Sequence, residues 1–412
     1  MADVRPFRAL RPRADLVEKV AVPPYDVVST EEARAMAGAN PYCYFHVSKP
    51  EIGLPPETDP YDDRVYARGR ENLQRLVRDG VLLREAEPRF YLYQQRMGDH
   101  VQAGLVAAAS CAEYEAGRIK KHEHTRKDKE DDRTRHTREL NANAGPVFLT
   151  YRKRPQIDAI VDGVRRTSPL YDFTPSDGVS HTVWLVPPDA GERLRAALGA
   201  VEALYIADGH HRAASGARVA RESQAANPGH TGEEAYNFFL AALFPHDQLR
   251  IMDYNRVVKD LAGLSEEAFL ERIRWAFDVA PAERPRPDAP HRFGMHLNGR
   301  WLRLSARPGS FPAADPVRSL DATILQENVL APVLGIADPR KDKRIDFVGG
   351  IRGTEELEKR VRGGWAAAFA LFPVTLDQLL SVADAGMIMP PKSTWFEPKL
   401  RSGLLVRSLE SW

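Results

Sequence analysis

Val201-Glu-Ala-Leu-Tyr-Ile-Ala-Asp-Gly-His-His-Arg212 carries an apolar run directly into a carboxylate, a glycine, two imidazoles and a guanidinium. The run Val201 to Ala207 reads as a buried strand. Gly209 permits a tight turn, and Arg212 to Glu222 is alanine-rich enough for a helix. The polar groups therefore stand at a strand-to-helix junction, where free backbone N–H groups and the positive end of the helix dipole suit phosphate or carboxylate. Arg212 adds a fixed charge with bidentate geometry. The structural alternative is a helix capped by the histidines with an Asp208–Arg212 ion pair. Against it, five clustered polar groups after a buried strand cost stability unless something uses them. Asp208 and His210 or His211 have the chemistry for acid and base work near neutral pH.

Working outward from that junction, sheet and helix signals alternate. Phe90 to Met97 and His100 to Ala109 flank Gly98-Asp99, a type II′ hairpin signal, and Asn298-Gly299 inside Arg292 to Leu304 marks a second hairpin. Val22-Pro-Pro-Tyr-Asp-Val-Val28 is an extended segment followed by Ser29 and Glu32 at capping-box spacing. Tyr61 to Asp79 places Val65, Leu73, Leu76 and Val77 on one helical face with Gly80 beyond its end. Ser265 to Val279, Leu320 to Leu330 and Thr354 to Val361 also read as helices, and Pro281 to His291 as a proline-rich loop. The fold class is mixed α+β.

Bulk properties narrow the function classes. The 58 Lys and Arg nearly cancel the 57 Asp and Glu in 412 residues, which argues against binding of long nucleic acid by bulk electrostatics. Cys43 and Cys111 are too few for a disulfide scaffold or a cysteine zinc site. The start Met-Ala-Asp-Val-Arg-Pro-Phe-Arg has no apolar signal core, and no stretch approaches 18 uninterrupted apolar residues. A soluble cytoplasmic protein with a small-molecule substrate is expected, with no membrane partner.

The segment Arg118 to Glu139 holds nine Lys or Arg, six Asp or Glu and three His in 22 residues. From Asp128 onward it reads as a solvated helix with i,i+4 pairs. Lys121-His-Glu-His-Thr125 differs: it follows the strand-like run Gly104 to Tyr114 and gathers base, acid and hydroxyl groups near a strand end, where sheet proteins place chemistry. It is expected to meet the Asp208 turn in one pocket. Near the C-terminus, Met389-Pro-Pro-Lys-Ser-Thr394 and the following Lys399 and Arg401 supply cations and hydroxyls suited to phosphate oxygens. No Gly-x-x-x-x-Gly precedes Lys392-Ser393-Thr394, which excludes a P-loop.

Val22-Pro-Pro-Tyr-Asp-Val-Val28, Lys121-His-Glu-His-Thr125, Ile206-Ala-Asp-Gly-His-His-Arg212 and Met389-Pro-Pro-Lys-Ser-Thr394 together resemble a bacterial and archaeal family of uncharacterised proteins, domain of unknown function family 1015, over essentially the whole chain. The Asp-Gly-His-His-Arg turn further resembles that of the ParB/sulfiredoxin-like fold, and of the free-serine kinases built on it, over a few short stretches. That resemblance implies a ParB/sulfiredoxin-like core elaborated by hairpins and helices. It makes Glu123 the candidate base and Asp208 a metal or hydroxyl partner, with His210, His211 and Arg212 as phosphate contacts. This chain is much longer than a minimal ParB-like domain, so its additional segments leave room for a different substrate, nucleotide or reaction.

The resulting expectation is a phosphotransferase or phosphohydrolase acting on serine, phosphoserine or a similar small hydroxy compound. Its catalytic residues would be Glu123, Asp208 and His210. Substrate and phosphate would meet His122, His124, Thr125, Gly209, His211, Arg212, Lys392, Ser393 and Thr394. Mg²⁺ at Asp208 and ADP or ATP as phosphate donor complete it. A metal hydrolase built on the His cluster and a ParB-like nucleic-acid-binding or nuclease module are the alternatives. Residues 1–250 are assigned to the catalytic core, 251–375 to a second, smaller α+β region, and 376–412 to a proline-rich segment returning to the core.

Overall fold

The computed structural model describes residues 2–410 and divides the chain into two units, one of residues 1–249 with 398–412, the other of 250–397. Among the described residues the first unit is built on a nine-stranded sheet. Its strands are β1 (Val4–Arg5), β2 (Tyr91–Met97), β3 (His100–Ser110), β4 (Ile119–Lys120), β5 (Val147–Tyr151), β6 (Tyr171–Phe173), β7 (Ser180–Leu185), β8 (Leu204–Asp208) and β9 (Phe238–Pro245). They lie in the order β4-β8-β5-β9-β3-β2-β7-β6, with β1 paired to β3. Every residue of β9 is buried, and its unbroken apolar run marks a strand covered on both faces. Leu105, Leu149, Ile206 and Leu243 from four strands share one core with Ile157 and Leu194 from flanking helices.

The β2–β3 hairpin turns at Gly98, whose φ of +60° favours glycine. The strand does not continue to Tyr114. It stops at Ser110, whose hydroxyl caps a short helix at Cys111–Glu115 by accepting from the Glu113 N–H. The strand that leads into the Lys121 segment is instead the two-residue β4.

Three helices bear on the site: α1 (Asp63–Arg78), α2 (Lys127–Leu140) and α3 (His210–Ala226). α1 is the amphipathic helix expected, with Val65, Leu73 and Leu76 buried. α2 departs from the solvated helix its charge implies. It packs on both α1 and α3, and buries Asp132, Thr134, His136 and Thr137. Two of those groups find partners: Tyr66 OH donates to Asp132 at 2.8 Å, which also pairs with Arg133 of the same helix at 2.7 Å, and His136 Nε2 lies 2.9 Å from the Val47 carbonyl, whereas the Thr134 hydroxyl is buried without a partner.

Burial, reinforced by the Arg133 charge, pushes the His136 pKa from 6.5 down to about 3. The unfolded chain therefore holds one proton more than the folded one between those pH values. Stability is complete above pH 6.5 and is lost as pH falls toward 3, at up to about 1.4 kcal/mol per pH unit from this residue. His136→Gln, which keeps a donor for the Val47 carbonyl, should flatten the acid limb of the unfolding free energy by close to one proton in urea titrations from pH 7 to 4. An unchanged slope would remove His136 as a source of acid lability.

The second unit carries a six-stranded antiparallel sheet of β10 (Tyr254–Val258), β11 (Phe277–Pro281), β12 (Arg292–Leu297), β13 (Arg300–Ala306), β14 (Ile345–Gly349) and β15 (Ala367–Leu371), in the order β11-β13-β12-β15-β10-β14. Asn298 and Gly299 both take positive φ, +47° and +76°, in the β12–β13 turn. The helix read over Ser265 to Val279 ends at Ile273, and Phe277 onward is β11, held by pairing with β13. Leu320 to Leu330 splits into Asp321–Leu325 and a wider π turn, and the helix read over Thr354 to Val361 runs Gly353–Arg362.

The C-terminal segment does not return to the core as one piece. Trp395–Glu397 pairs with Arg250–Met252 inside the second unit, whereas Val406–Ser408 pairs with Ala9–Pro12 and Ala142–Asn143 inside the first. The protein is mixed α+β. Among the described residues no helix is long and apolar enough to cross a membrane.

Candidate functional site

β4 and β8 pair in parallel, Ile119 with Leu204 and Lys120 with Tyr205. Parallel neighbours leave a sheet at the same end. The loop after β4 carries Lys121 to Arg126 into α2, and the turn after β8 carries Asp208-Gly209 into α3, so the two polar motifs emerge side by side. Gly209 makes the second turn with φ +91°, and a Cβ there would lie 3.5 Å from the Val147 backbone.

The imidazoles of His122 and His210 stand edge to face, with ring centroids 4.5 Å apart. They are 2% and 5% exposed, and both nitrogens of His122 and Nε2 of His210 have no hydrogen-bond partner. Burial lowers the His122 pKa to about 4, although the Asp208 charge and the approach of the Ile206 backbone favour its proton. His210 is held well below its ordinary value by burial and by the neighbouring His122. Both rings are thus neutral at pH 7. Glu123, half-exposed, brings Oε2 to 3.9 Å from His210 Nδ1.

Asp208 is engaged at both oxygens: Oδ1 accepts from the Gly209 N–H at 2.7 Å and Oδ2 pairs with Lys399 Nζ at 2.8 Å. Burial alone would raise its pKa, but Lys399 and Arg212 overcome that and hold it below the ordinary carboxylate range. Arg212 donates through Nη1 to the Pro146 carbonyl and through Nη2 to Asp26 Oδ2 at 3.2 Å, while its Nε is buried without a partner. Beside it, Tyr25, Arg133, His136 and Ser402 line one side of a half-open cavity whose other walls include Val147, Phe239 and Leu240.

The structure therefore brings together His122, Glu123, Asp208, Gly209, His210 and Arg212. His211 is engaged through its Nε2, which accepts from the Arg126 N–H at 3.0 Å. Thr125 Oγ1 donates to Glu130 at 2.9 Å, and His124 is exposed. Lys392, Ser393 and Thr394 belong to the second unit. There the Lys392 carbonyl accepts from Arg256 at 3.1 Å, Ser393 Oγ donates to the Pro390 carbonyl at 2.8 Å, and Thr394 precedes Trp395–Glu397.

Sequence reasoning left two contributors without a role. Lys399 appeared only as one cation among several, yet it neutralises Asp208. Asp26, in the Val22-Pro-Pro-Tyr-Asp run, anchors Arg212. The signal available for both was their place in the two proline-rich stretches of otherwise unexplained polarity.

Residues 4–323 match the family model for "Protein of unknown function (DUF1015)". Among solved structures, the chain aligns with a conserved hypothetical protein from Pyrococcus furiosus at 11% identity and a TM-score of 0.35, covering 75% of this chain and 97% of that one. A free serine kinase in complex with AMP aligns at 11% identity and a TM-score of 0.37, over 75% and 93% of the two chains. C-terminally truncated SbnI from Staphylococcus aureus gives 12% and 0.38, over 74% and 89%. No curated protein matches. Likenesses this distant carry no weight for the chemistry, which rests on the geometry.

Proposed function

The chain belongs to the DUF1015 family of proteins of unknown function, and we propose that it is a phosphotransferase or phosphohydrolase acting on serine, phosphoserine or a similar small hydroxy compound. One observation carries this reading: a carboxylate, Glu123, stands 3.9 Å from a buried neutral imidazole, His210, at the first turn of α3, next to the Asp208–Lys399 ion pair and the Arg212 guanidinium. Phosphoryl transfer requires cations or N–H groups on the equatorial oxygens and a carboxylate orienting the attacking hydroxyl. In this reading Glu123 orients or deprotonates the hydroxyl or water. The N–H groups of the first turn of α3, with the Arg212 charge beside them, meet the phosphate oxygens, and Lys399 holds Asp208 in place beside them. The Asp-Gly-His-His-Arg turn at the β8–α3 junction supports a ParB/sulfiredoxin-like core within the first unit, with ADP or ATP as the nucleotide in the kinase direction.

Mg²⁺ does not fit Asp208. Both carboxylate oxygens already accept hydrogen bonds, one from an ammonium whose charge opposes a dication. No step is therefore assigned to Mg²⁺ there.

Thermal shift with serine, phosphoserine, AMP, ADP and ATP, followed by phosphorus NMR of the mixtures, tests the reading. A ligand at about 100 times its Kd stabilises by about 2.7 kcal/mol. Serine with nucleotide, or phosphoserine alone, should raise the melting midpoint and yield transferred or free phosphate. No shift with any phosphorylated ligand and no change in the phosphorus spectrum would remove phosphoryl chemistry.

A further inference from the structure

We infer that His122, Glu123 and His210 form a binding site for a borderline transition-metal dication of the zinc class. Among the described residues these three are where His, Cys, Asp or Glu side chains converge, with one ligand atom from each within 4.8 Å of the others. Ligands about 2.1 Å from a tetrahedral ion sit about 3.4 Å apart. The 3.9 Å between His210 Nδ1 and Glu123 Oε2 is thus within a small side-chain rotation of coordination.

The burial of the rings points the same way. His122 and His210 are more than nine-tenths buried, and three of their four nitrogens have no hydrogen-bond partner. A buried polar group left unpaired costs on the order of 1–3 kcal/mol, and an ion taking the lone pair of one His122 nitrogen removes that cost for one of these atoms.

Ligand chemistry selects the class of ion. Two imidazoles and one carboxylate suit zinc, cobalt or manganese, whereas Mg²⁺ takes oxygen ligands and keeps its waters. Asp208, paired with Lys399, is not counted among the ligands. Three protein ligands leave a coordination position open. This inference goes beyond the phosphotransfer reading and competes with it for one residue: an ion here makes Glu123 a ligand in place of the base, and because the test reads metal occupancy alone, its failure leaves the phosphotransfer reading standing while its success reassigns Glu123.

The tag-free full-length protein, stripped by chelator and dialysed, is titrated with Zn²⁺, Co²⁺ and Mg²⁺ by calorimetry, with the visible absorption of bound Co²⁺ reporting its coordination. Zn²⁺ and Co²⁺ should bind at one ion per chain and Mg²⁺ should not compete. His210→Asn should weaken binding by more than the roughly 10- to 100-fold that loss of an outer-shell partner causes. Glu123→Gln, on a half-exposed loop, gives the same test without disturbing the core, and should also lose at least about tenfold. His124→Asn, exposed on the same loop, should retain full affinity. Absence of Zn²⁺ and Co²⁺ binding, wild-type affinity in Glu123→Gln, or equal loss in His124→Asn would each overturn the triad.

Discussion

Glu123→Gln should lower phosphate transfer to serine, or release from phosphoserine, by roughly a hundredfold to ten-thousandfold while leaving ligand affinity within a few fold. The substitution keeps the shape and removes the charge. Glu123 lies on the loop between β4 and α2 and its side chain is 42% exposed. A carboxylate that orients or deprotonates the attacking hydroxyl acts chiefly in the transition state, which is why turnover and binding separate. If Glu123 serves only a surface ion pair, the change is worth less than about 1 kcal/mol in either quantity. Rates measured with and without nucleotide decide between the two, and unchanged turnover would falsify the assignment of Glu123 to the chemistry.

Arg212→Ala should weaken binding of phosphorylated ligands by about 2 kcal/mol or more, about thirtyfold in Kd. The guanidinium is 13% exposed, carries a fixed charge at the first turn of α3, and has a buried Nε without a partner. It also has structural work. Its loss strands the Pro146 carbonyl and the half-exposed Asp26 carboxylate, so about 1–3 kcal/mol of stability should go with it. Binding is therefore compared well below the melting midpoint, beside Arg212→Lys, which keeps the charge without the fork. The Lys variant should recover part of the affinity. If the Ala variant binds every phosphorylated ligand as the parent does, Arg212 is an ion-pair member only.

The local grammar of the chain was legible because short-range chemistry decides it. An apolar run, a glycine able to adopt φ +91° and an alanine-rich stretch specify the strand, turn and helix from Leu204 to Ala226. Gly98-Asp99 and Asn298-Gly299 specify their hairpins in the same way, and Ser29 with Glu32 its capping box. The residue types at the site were legible too, since clustered His, Glu, Asp and Arg beside an apolar run announce chemistry before any fold is known.

Partnership was not legible. β4 is two residues long, too short for any periodicity to reveal, yet its parallel register against β8 is what sets Glu123 beside His210. Lys399 reaches Asp208 across 191 residues of chain, and no local pattern encodes that pairing. The charge of α2 reads as solvent-facing in sequence, and only its packing on α1 and α3 buries Asp132 and His136 with partners. Phe277 to Pro281 follows a helical stretch and becomes a strand because β13 offers it a ladder of hydrogen bonds. Backbone propensity and turn chemistry act over a few residues, and the sequence determines them alone. Which charged group is neutralised, which imidazole is dried and which carboxylate meets it depend on contacts between distant segments, and those the tertiary structure decides.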